Sequence, residues 1–393
     1  MAPSSILSLA ARTSGNRNLP LADAIEAEPS VRERFYRPEL DALRFFAFFC
    51  VFLAHGLPSK YPYSVLALSG GFGLCLFFLL SSYLITELLL RERTRTGTVH
   101  LRAFYARRIL RIWPLYFAML AFGYFFGIVR PDAAWGTGRL FAYLFLLGNF
   151  YTARHGQIMN PAGALWSISV EEQFYLLWPS VAKRGIRSLL LVSSLVIPIS
   201  YFWMYVLYRA GTSLEQGIWT NSLVQFQFFG IGGLLALVFR SGSPTLNSAL
   251  RIFMLLAGVG LWLVAGGPLH LFGSRDAVSL WQLMMAYGSV ALGCALLLTG
   301  ILGAPSNWFP KPLVYLGKIS YGLYAFHLLG LRLSEALVFR WHSVQPGSGT
   351  PFAARLPTAL AITIIFAVLS YRFFESPFLR LKERFTFIPS RKV

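Results

Sequence analysis

The chain has 393 residues, of which 56% are hydrophobic and 13% charged, and a formal net charge of +19. A soluble domain carries about a quarter charged residues, and apolar runs of about 18 or more residues mark membrane spans, so a soluble globular protein is excluded. The basic excess lies in short loops between apolar runs, where it sets membrane orientation and does not read as a nucleic-acid footprint.

Residues 1–36 mix Arg12, Arg17, Arg32 and Arg34 with Asp23, Glu26, Glu28 and Glu33, and hold no apolar stretch of signal-peptide length. A short N-terminal tail (1–36) is therefore expected, then a transmembrane domain (37–378) and a basic C-terminal tail (379–393). Apolar runs recur at 40–58, 70–90, 108–129, 139–151, 166–182, 187–208, 221–240, 251–267, 281–303, 313–333 and 357–376. The runs at 139–151 and 166–182 are short for a bilayer that needs about 20 residues. Arg91, Arg93, Arg95, Arg102, Arg107, Arg108 and Arg111 place the second connection inside by the positive-inside rule. Lys183, Arg184 and Arg187, and the C-terminal Arg380, Lys382, Arg384, Arg391 and Lys392, make the same demand. These agree only if 139–182 makes one net crossing. The expected fold is an all-α polytopic bundle with about ten net crossings and both termini cytoplasmic. Its one broken or re-entrant element is 139–182, and the link around His155, Asn160 and Pro161 is expected to line a cavity. Cys50, Cys75 and Cys294 all fall in apolar runs, without metal-ligand spacing, and read as packing residues.

The first run carries Arg44 and His55, eleven residues apart. Eleven steps of about 100° bring both to one helix face, about 16 Å apart along the axis. Ionisable residues inside a span mark function by default, although a topology-setting Arg and an interfacial His give the same pattern. Asp41 stands three residues before Arg44 and can hold its guanidinium. His55 is able to take up and release a proton near neutrality. The segment FYARRILRIWP sets Arg107, Arg108 and Arg111 close together, and arginine forks suit phosphates better than lysine does. In ALWSISVEEQFYLLWP, Ser167, Glu171 and Tyr175 form an i, i+4, i+8 polar stripe beside Ser169 and Glu172; a dressed helix start is the plainer alternative. In GKISYGLYAFHLL, Ser320, Tyr324 and His327 share a face, with His327 open to a packing role. YRFFESPF, with Arg372 and Glu375, reads as an anchored helix end closed by Pro377. The sequence has no phosphate-cradling glycine loop, no His-Glu-x-x-His site, no Gly-x-Ser-x-Gly elbow and no His-x4-Asp pair.

Taken together, these motifs resemble the acyltransferase-3 family of membrane-bound O-acyltransferases, which modify bacterial envelope glycans and some natural products. The resemblance rests on four ordered pieces spanning residues 36–378. They are Arg44-x10-His55, Arg107-Arg108-x-x-Arg111, Trp166-Ser167-x-Ser169-x-Glu171-Glu172-x-Phe174-Tyr175, and Ser320-Tyr321-x-x-Tyr324-x-x-His327. It implies a ten-span architecture in the bacterial inner membrane and an essential His55. It also implies that Arg44, Arg107, Arg108 and Arg111 serve an acyl-coenzyme A co-substrate, most simply acetyl-coenzyme A. Glu171 or Glu172 would then be a cavity carboxylate that orients His55 or binds sugar hydroxyls. Asp41 joins this catalytic set, while Ser167, Ser169, Tyr175, Tyr324 and His327 are expected to contact substrate. No metal is expected.

The expected activity is O-acetylation of a saccharide, with His55 as general base. The larger family members carry an extracytoplasmic hydrolase-like domain with no counterpart in this sequence. The expected acceptors are therefore a lipopolysaccharide O-antigen, an exopolysaccharide or a related oligosaccharide or glycolipid, met among membrane lipid and without nucleic acid. A transporter or flippase of a glycolipid or acyl donor is the alternative, because broken helices beside buried ionisable groups also build transport sites.

Overall fold

The computed structural model describes residues 36–58, 64–158, 160–272, 275–342 and 352–388. Every regular element among these residues is helical, with no strand among them. The chain runs through α1 (Pro38–Gly56), α2 (Ser64–Gly70), α3 (Gly73–Thr96), α4 (Leu101–Val129), α5 (Thr137–Leu144), α6 (Gly148–His155), α7 (Trp166–Arg184) and α8 (Ile186–Arg209). It continues through α9 (Ser222–Val238), α10 (Ser248–Gly266), α11 (Leu280–Ile301), α12 (Lys311–Lys318), α13 (Ser320–His342), α14 (Phe352–Leu369) and α15 (Ser376–Glu383).

Seven helical segments among the described residues are long and apolar enough to cross a membrane. The protein is thus a polytopic helical membrane protein. Helices α1, α7 and α13, of 19, 19 and 23 residues, have comparable lengths but stand outside that group. They are the helices that carry Arg44 and His55, Glu171 and Glu172, and Tyr324 and His327. Hydropathy misses them because ionisable and hydroxyl groups replace part of their apolar surface.

Neighbours in sequence pack as antiparallel pairs, α8 with α9, α10 with α11 and α13 with α14, while α3 lies against α9. One large core joins α3, α4, α7, α9 and α11 through residues such as Phe78, Tyr83, Trp178 and Phe229. A second cluster of Phe48, Phe52, Ile319, Leu323, Leu331 and Ala359 locks α1 to α13 and α14. Gly317 lies so close to the backbone of Asp41 that a side chain there would overlap it, which seats α12 on the first turns of α1.

The broken element at 139–182 resolves into α5, α6, a 3-10 turn at Gly163–Leu165 and α7. Side chains from within it and from neighbouring helices bond to backbone groups at its corners, as non-helical chain at membrane depth requires. Leu146 takes a left-handed conformation (φ 58°) between α5 and α6, and its carbonyl accepts from Gln173 Nε2 at 2.9 Å. Gln173 also donates to Asn149 Oδ1 (2.9 Å), and Asn149 donates to Ser222 Oγ (2.8 Å) and the Thr220 carbonyl (3.1 Å). Asn160 does not line a cavity as expected. It is buried, donates to the carbonyls of Gly123 and Ala133 at 2.9 Å each, and accepts from the Ala162 amide at 2.8 Å. His155 stacks on Tyr151 at the exposed end of α6.

The end of the chain also departs from expectation. Pro377 does not close a helix. Residues Ser370–Glu375 form a π-helical turn that leads directly into α15, where Pro377 occupies a first-turn position that tolerates the missing N–H. The expected tail at 379–393 therefore begins inside a helix, and the expected tail at 1–36 lies outside the described residues except for Tyr36.

Asn160 supplies two donors to buried carbonyls, and leaving a buried acceptor unpaired costs about 1–3 kcal/mol. Asn160→Ala is expected to lower the unfolding temperature of the detergent-solubilised protein by several degrees. Asn160→Asp should do the same, because a carboxylate cannot donate. Melting of both variants with the unaltered protein would show that this tie does not hold the break.

Candidate active site

A cavity opens at the end of the bundle that carries the basic residues. Six helices contribute to it, α15 through Lys382. From α1 come Asp41 and Arg44, whose Nη1 donates to Asp41 Oδ1 at 3.2 Å, so the expected pair forms. From α4 come Arg108 and Arg111, from α7 Ser167, Glu171 and Tyr175, and from α13 Ser320, Tyr321 and Tyr324. Helix α3 adds Ser81.

The i, i+4, i+8 stripe on α7 faces this cavity as one row, since 3.6 residues per turn keeps such positions aligned. Glu171 accepts from both Ser81 Oγ and Tyr175 Oη, the charge-assisted bonding that lets a carboxylate persist away from bulk water. Glu172 points elsewhere and accepts from Trp113 Nε1 at 2.9 Å. The choice between the two carboxylates left open by the sequence thus falls to Glu171 as the cavity group. Ser169 is fully buried and also lies outside the cavity lining.

The arginines divide in the same way. Arg107, expected beside the others, turns away and pairs with Glu92 at 2.7 Å while donating to the Phe385 carbonyl at 2.7 Å. It is absent from the main cavity lining. Arg108 lies over the rings of Phe104 and Tyr175, 5.7 Å from each centroid, and its buried Nε has no hydrogen-bond partner among the described residues. Arg44, Arg108 and Arg111 are therefore the basic groups of the expected set that face the cavity.

The inner end of the cavity is closed by hydroxyls. Ser167 Oγ and Tyr324 Oη stand 2.6 Å apart, and both reach the Ala164 carbonyl, at 3.0 and 3.1 Å. Beyond this floor the Tyr324 ring packs against His327 (centroids 5.3 Å), and His327 packs against His55 (4.9 Å). His55 and His327 are thus outside the cavity. His327 is completely buried, whereas His55, at the far end of α1, is exposed. Each histidine has Nδ1 against a backbone carbonyl one turn or less away, His55 to Val51 at 2.9 Å and His327 to Tyr324 at 2.5 Å. A carbonyl can only accept, so Nδ1 carries the proton in both rings and Nε2 keeps its lone pair. His327 Nε2 is buried with no partner among the described residues, so this histidine is not a fully satisfied packing residue.

Sequence reasoning missed Ser81, Trp113 and Lys382. Paired serines at Ser81 and Ser82 inside an otherwise apolar run were an available signal. Lys382 reaches the cavity lining from α15, and nothing local to the sequence indicates that.

Among the described residues, no group of three or more His, Cys, Asp or Glu side chains could hold a metal ion. The cavity is instead a cationic mouth leading to a hydroxyl floor with histidines behind it. That arrangement can hold an anion at one end and move a proton at the other.

The chain is 27% identical over 367 residues to the peptidoglycan O-acetyltransferase OatA of Listeria monocytogenes, covering 88% of this chain and 56% of the relative. It is 29% identical over 383 residues to the O-acetyltransferase OatA of Staphylococcus aureus, covering 91% of this chain and 60% of the relative. The chain therefore spans somewhat over half the length of these relatives. No solved structure matches it. The acyltransferase-3 family model, an acyltransferase domain, matches residues 37–372, and with most of its length so covered the chain belongs to that family.

Proposed function

We propose that this protein is an acyl-coenzyme A-dependent O-acyltransferase, acting most simply as an O-acetyltransferase of a saccharide hydroxyl. The observation that carries the reading is the order of groups across the Ser167–Tyr324 layer. Arginines line the mouth, Ser167 and Tyr324 form the floor, and His327 and His55 lie beyond. A coenzyme A thioester is anionic at one end and reactive at the other, and the cavity has the same polarity. Arg108 and Arg111 would hold donor phosphates, with Asp41 directing Arg44 towards the same ligand. The bound donor supplies an acyl group already activated as a thioester.

His55 then acts as the general base. Its Nδ1 is committed to the Val51 carbonyl, leaving Nε2 to take the proton of an acceptor hydroxyl, a role worth about 10²- to 10⁴-fold in rate. His327, in ring contact with His55, restricts the orientation of that base. The Tyr324 and Ser167 hydroxyls use their single protons on each other and on the Ala164 carbonyl, and so hold the floor of the donor site in place. Glu171, on the cavity side of the floor, is a positioning group for Tyr175 and Ser81 and does not touch His55.

The saccharide class of acceptor rests on the relatives, one of which is named for peptidoglycan. Nothing in the site favours lipopolysaccharide over that or another glycan. Membership of a family of acyltransferases favours catalysis over the transporter alternative.

In the membrane we place the basic end of the bundle in the cytoplasm, with ten crossings made by the seven apolar segments and by α1, α7 and α13. The donor would then enter from the cytoplasm, and the exposed face of His55 would meet an acceptor on the other side.

His55→Ala should reduce transfer from acetyl-coenzyme A by at least about 10²-fold while the protein still inserts and folds, measured as thiol release with a glycan acceptor. A folded variant of undiminished activity would refute His55 as the base.

Arg108→Ala and Arg111→Ala should raise KM for acetyl-coenzyme A more than KM for the acceptor. The Lys variants should recover only part of the loss, because Lys keeps charge but not the planar fork. If donor KM were unmoved in all four, the arginines would be serving orientation alone.

Topology is open to thiol labelling in a background where Cys50, Cys75 and Cys294 are Ala. Cysteines introduced at Thr94 and Arg184 should resist a membrane-impermeant maleimide added to spheroplasts, and one at Asp132 should react. External labelling at Arg184 would mean that the segment from α5 to α7 crosses twice.

A further inference from the structure

Beside the main cavity lies a second, smaller cleft, into which the chain after α15 folds. Its walls include Leu89, Glu92, Phe104, Thr386 and Phe387. Leu88, Arg108 and Lys382 belong to both hollows, so the two meet at a pair of cationic side chains.

The segment that closes this cleft is tied down at three points. Arg107 Nη1 donates to the Phe385 carbonyl at 2.7 Å and Arg95 Nη1 to the Phe387 carbonyl at 3.2 Å. The Phe387 ring stacks on His100, with centroids 4.3 Å apart and planes at 24°. Behind these ties stands Glu92, only 2% exposed, which accepts from Arg107 Nη2 (2.7 Å), the His100 amide (2.9 Å) and His100 Nδ1 (3.3 Å). A basic terminal segment would ordinarily stay solvated. Here a buried carboxylate holds two of the three side chains that receive it, Arg107 and His100, so the wall is built by the fold.

We propose that this second cleft seats the adenosine portion of the coenzyme A donor, and that Phe387 forms part of its wall. The assignment rests on the donor reading above. It follows from the sequence of chemistries along the path. The main cavity offers hydroxyls and an acyl-facing floor, the junction at Arg108 and Lys382 offers positive charge for phosphates, and the cleft beyond offers an apolar wall with aromatic rings. A coenzyme A thioester presents an acyl-pantetheine arm, a diphosphate and a planar base in the same order. Planar bases stack on aromatic side chains without needing specific hydrogen bonds. Arg107, which faces away from the main cavity, thereby acquires a function. It is a positioning residue for the wall of the nucleotide cleft.

The test compares two ligands on the full-length, detergent-solubilised protein by calorimetry. Coenzyme A carries the adenosine portion, and 4′-phosphopantetheine keeps the arm and a phosphate but lacks it. The unaltered protein should bind coenzyme A at least about tenfold more tightly, equivalent to about 1.4 kcal/mol. Phe387→Ala should bring coenzyme A down towards the level of phosphopantetheine and leave phosphopantetheine binding unchanged, while Phe387→Trp should retain the difference. Equal affinity of the unaltered protein for both ligands would overturn the proposal, as would a parallel loss of both in Phe387→Ala. If the unaltered protein bound neither ligand, the coenzyme A reading itself would fall, and the cleft assignment with it.

Discussion

The hydroxyl pair formed by Ser167 and Tyr324 is the contact on which the rest of the site depends. Both groups lie where water is scarce, and an unpaired hydroxyl there costs several kcal/mol, so they bond to each other and to the Ala164 carbonyl. That pairing joins α7 to α13 and closes the inner end of the cavity. It also fixes the phase of α13, and therefore places His327 on the far side of the floor against His55. The molecule is divided by this layer into a cationic chamber and a histidine face.

Positioning of α1 completes the arrangement. The apolar cluster around Phe48, Phe52, Leu323 and Leu331 sets α1 against α13, and Gly317 allows α12 to approach the first turns of α1 closely. Arg44 then faces the chamber, and His55, three turns further along, reaches past the floor. One helix thus serves both compartments, which is the physical content of the eleven-residue spacing.

Two carboxylates sort the polar groups around the chamber. Glu92 captures Arg107 and Glu171 gathers Tyr175 and Ser81, so Arg108 and Arg111 remain directed at the chamber. On an α-helix, positions 107 and 108 differ by about 100°, enough to put adjacent arginines into different hollows. Under the proposed reading one hollow handles the phosphates and reactive arm of the donor and the other its base.

Composition and charge placement determined that this is a polytopic helical membrane protein. The periodicity of single helices determined that Asp41 meets Arg44 and that Ser167, Glu171 and Tyr175 share a face, because these relations depend only on 3.6 residues per turn. Ordered motifs were enough to suggest the family. Tertiary structure alone decided which of Glu171 and Glu172 enters the cavity and which of three neighbouring arginines leaves it. It also decided that Asn160 is a backbone tie, that Lys382 reaches the mouth, and that His55 stands beyond the floor against His327. Those outcomes depend on which neighbour offers a partner, such as Trp113 to Glu172 or Glu92 to Arg107, and such partners come from helices distant in sequence. A helical repeat defines a residue's face on its own helix, and only packing defines what that face meets.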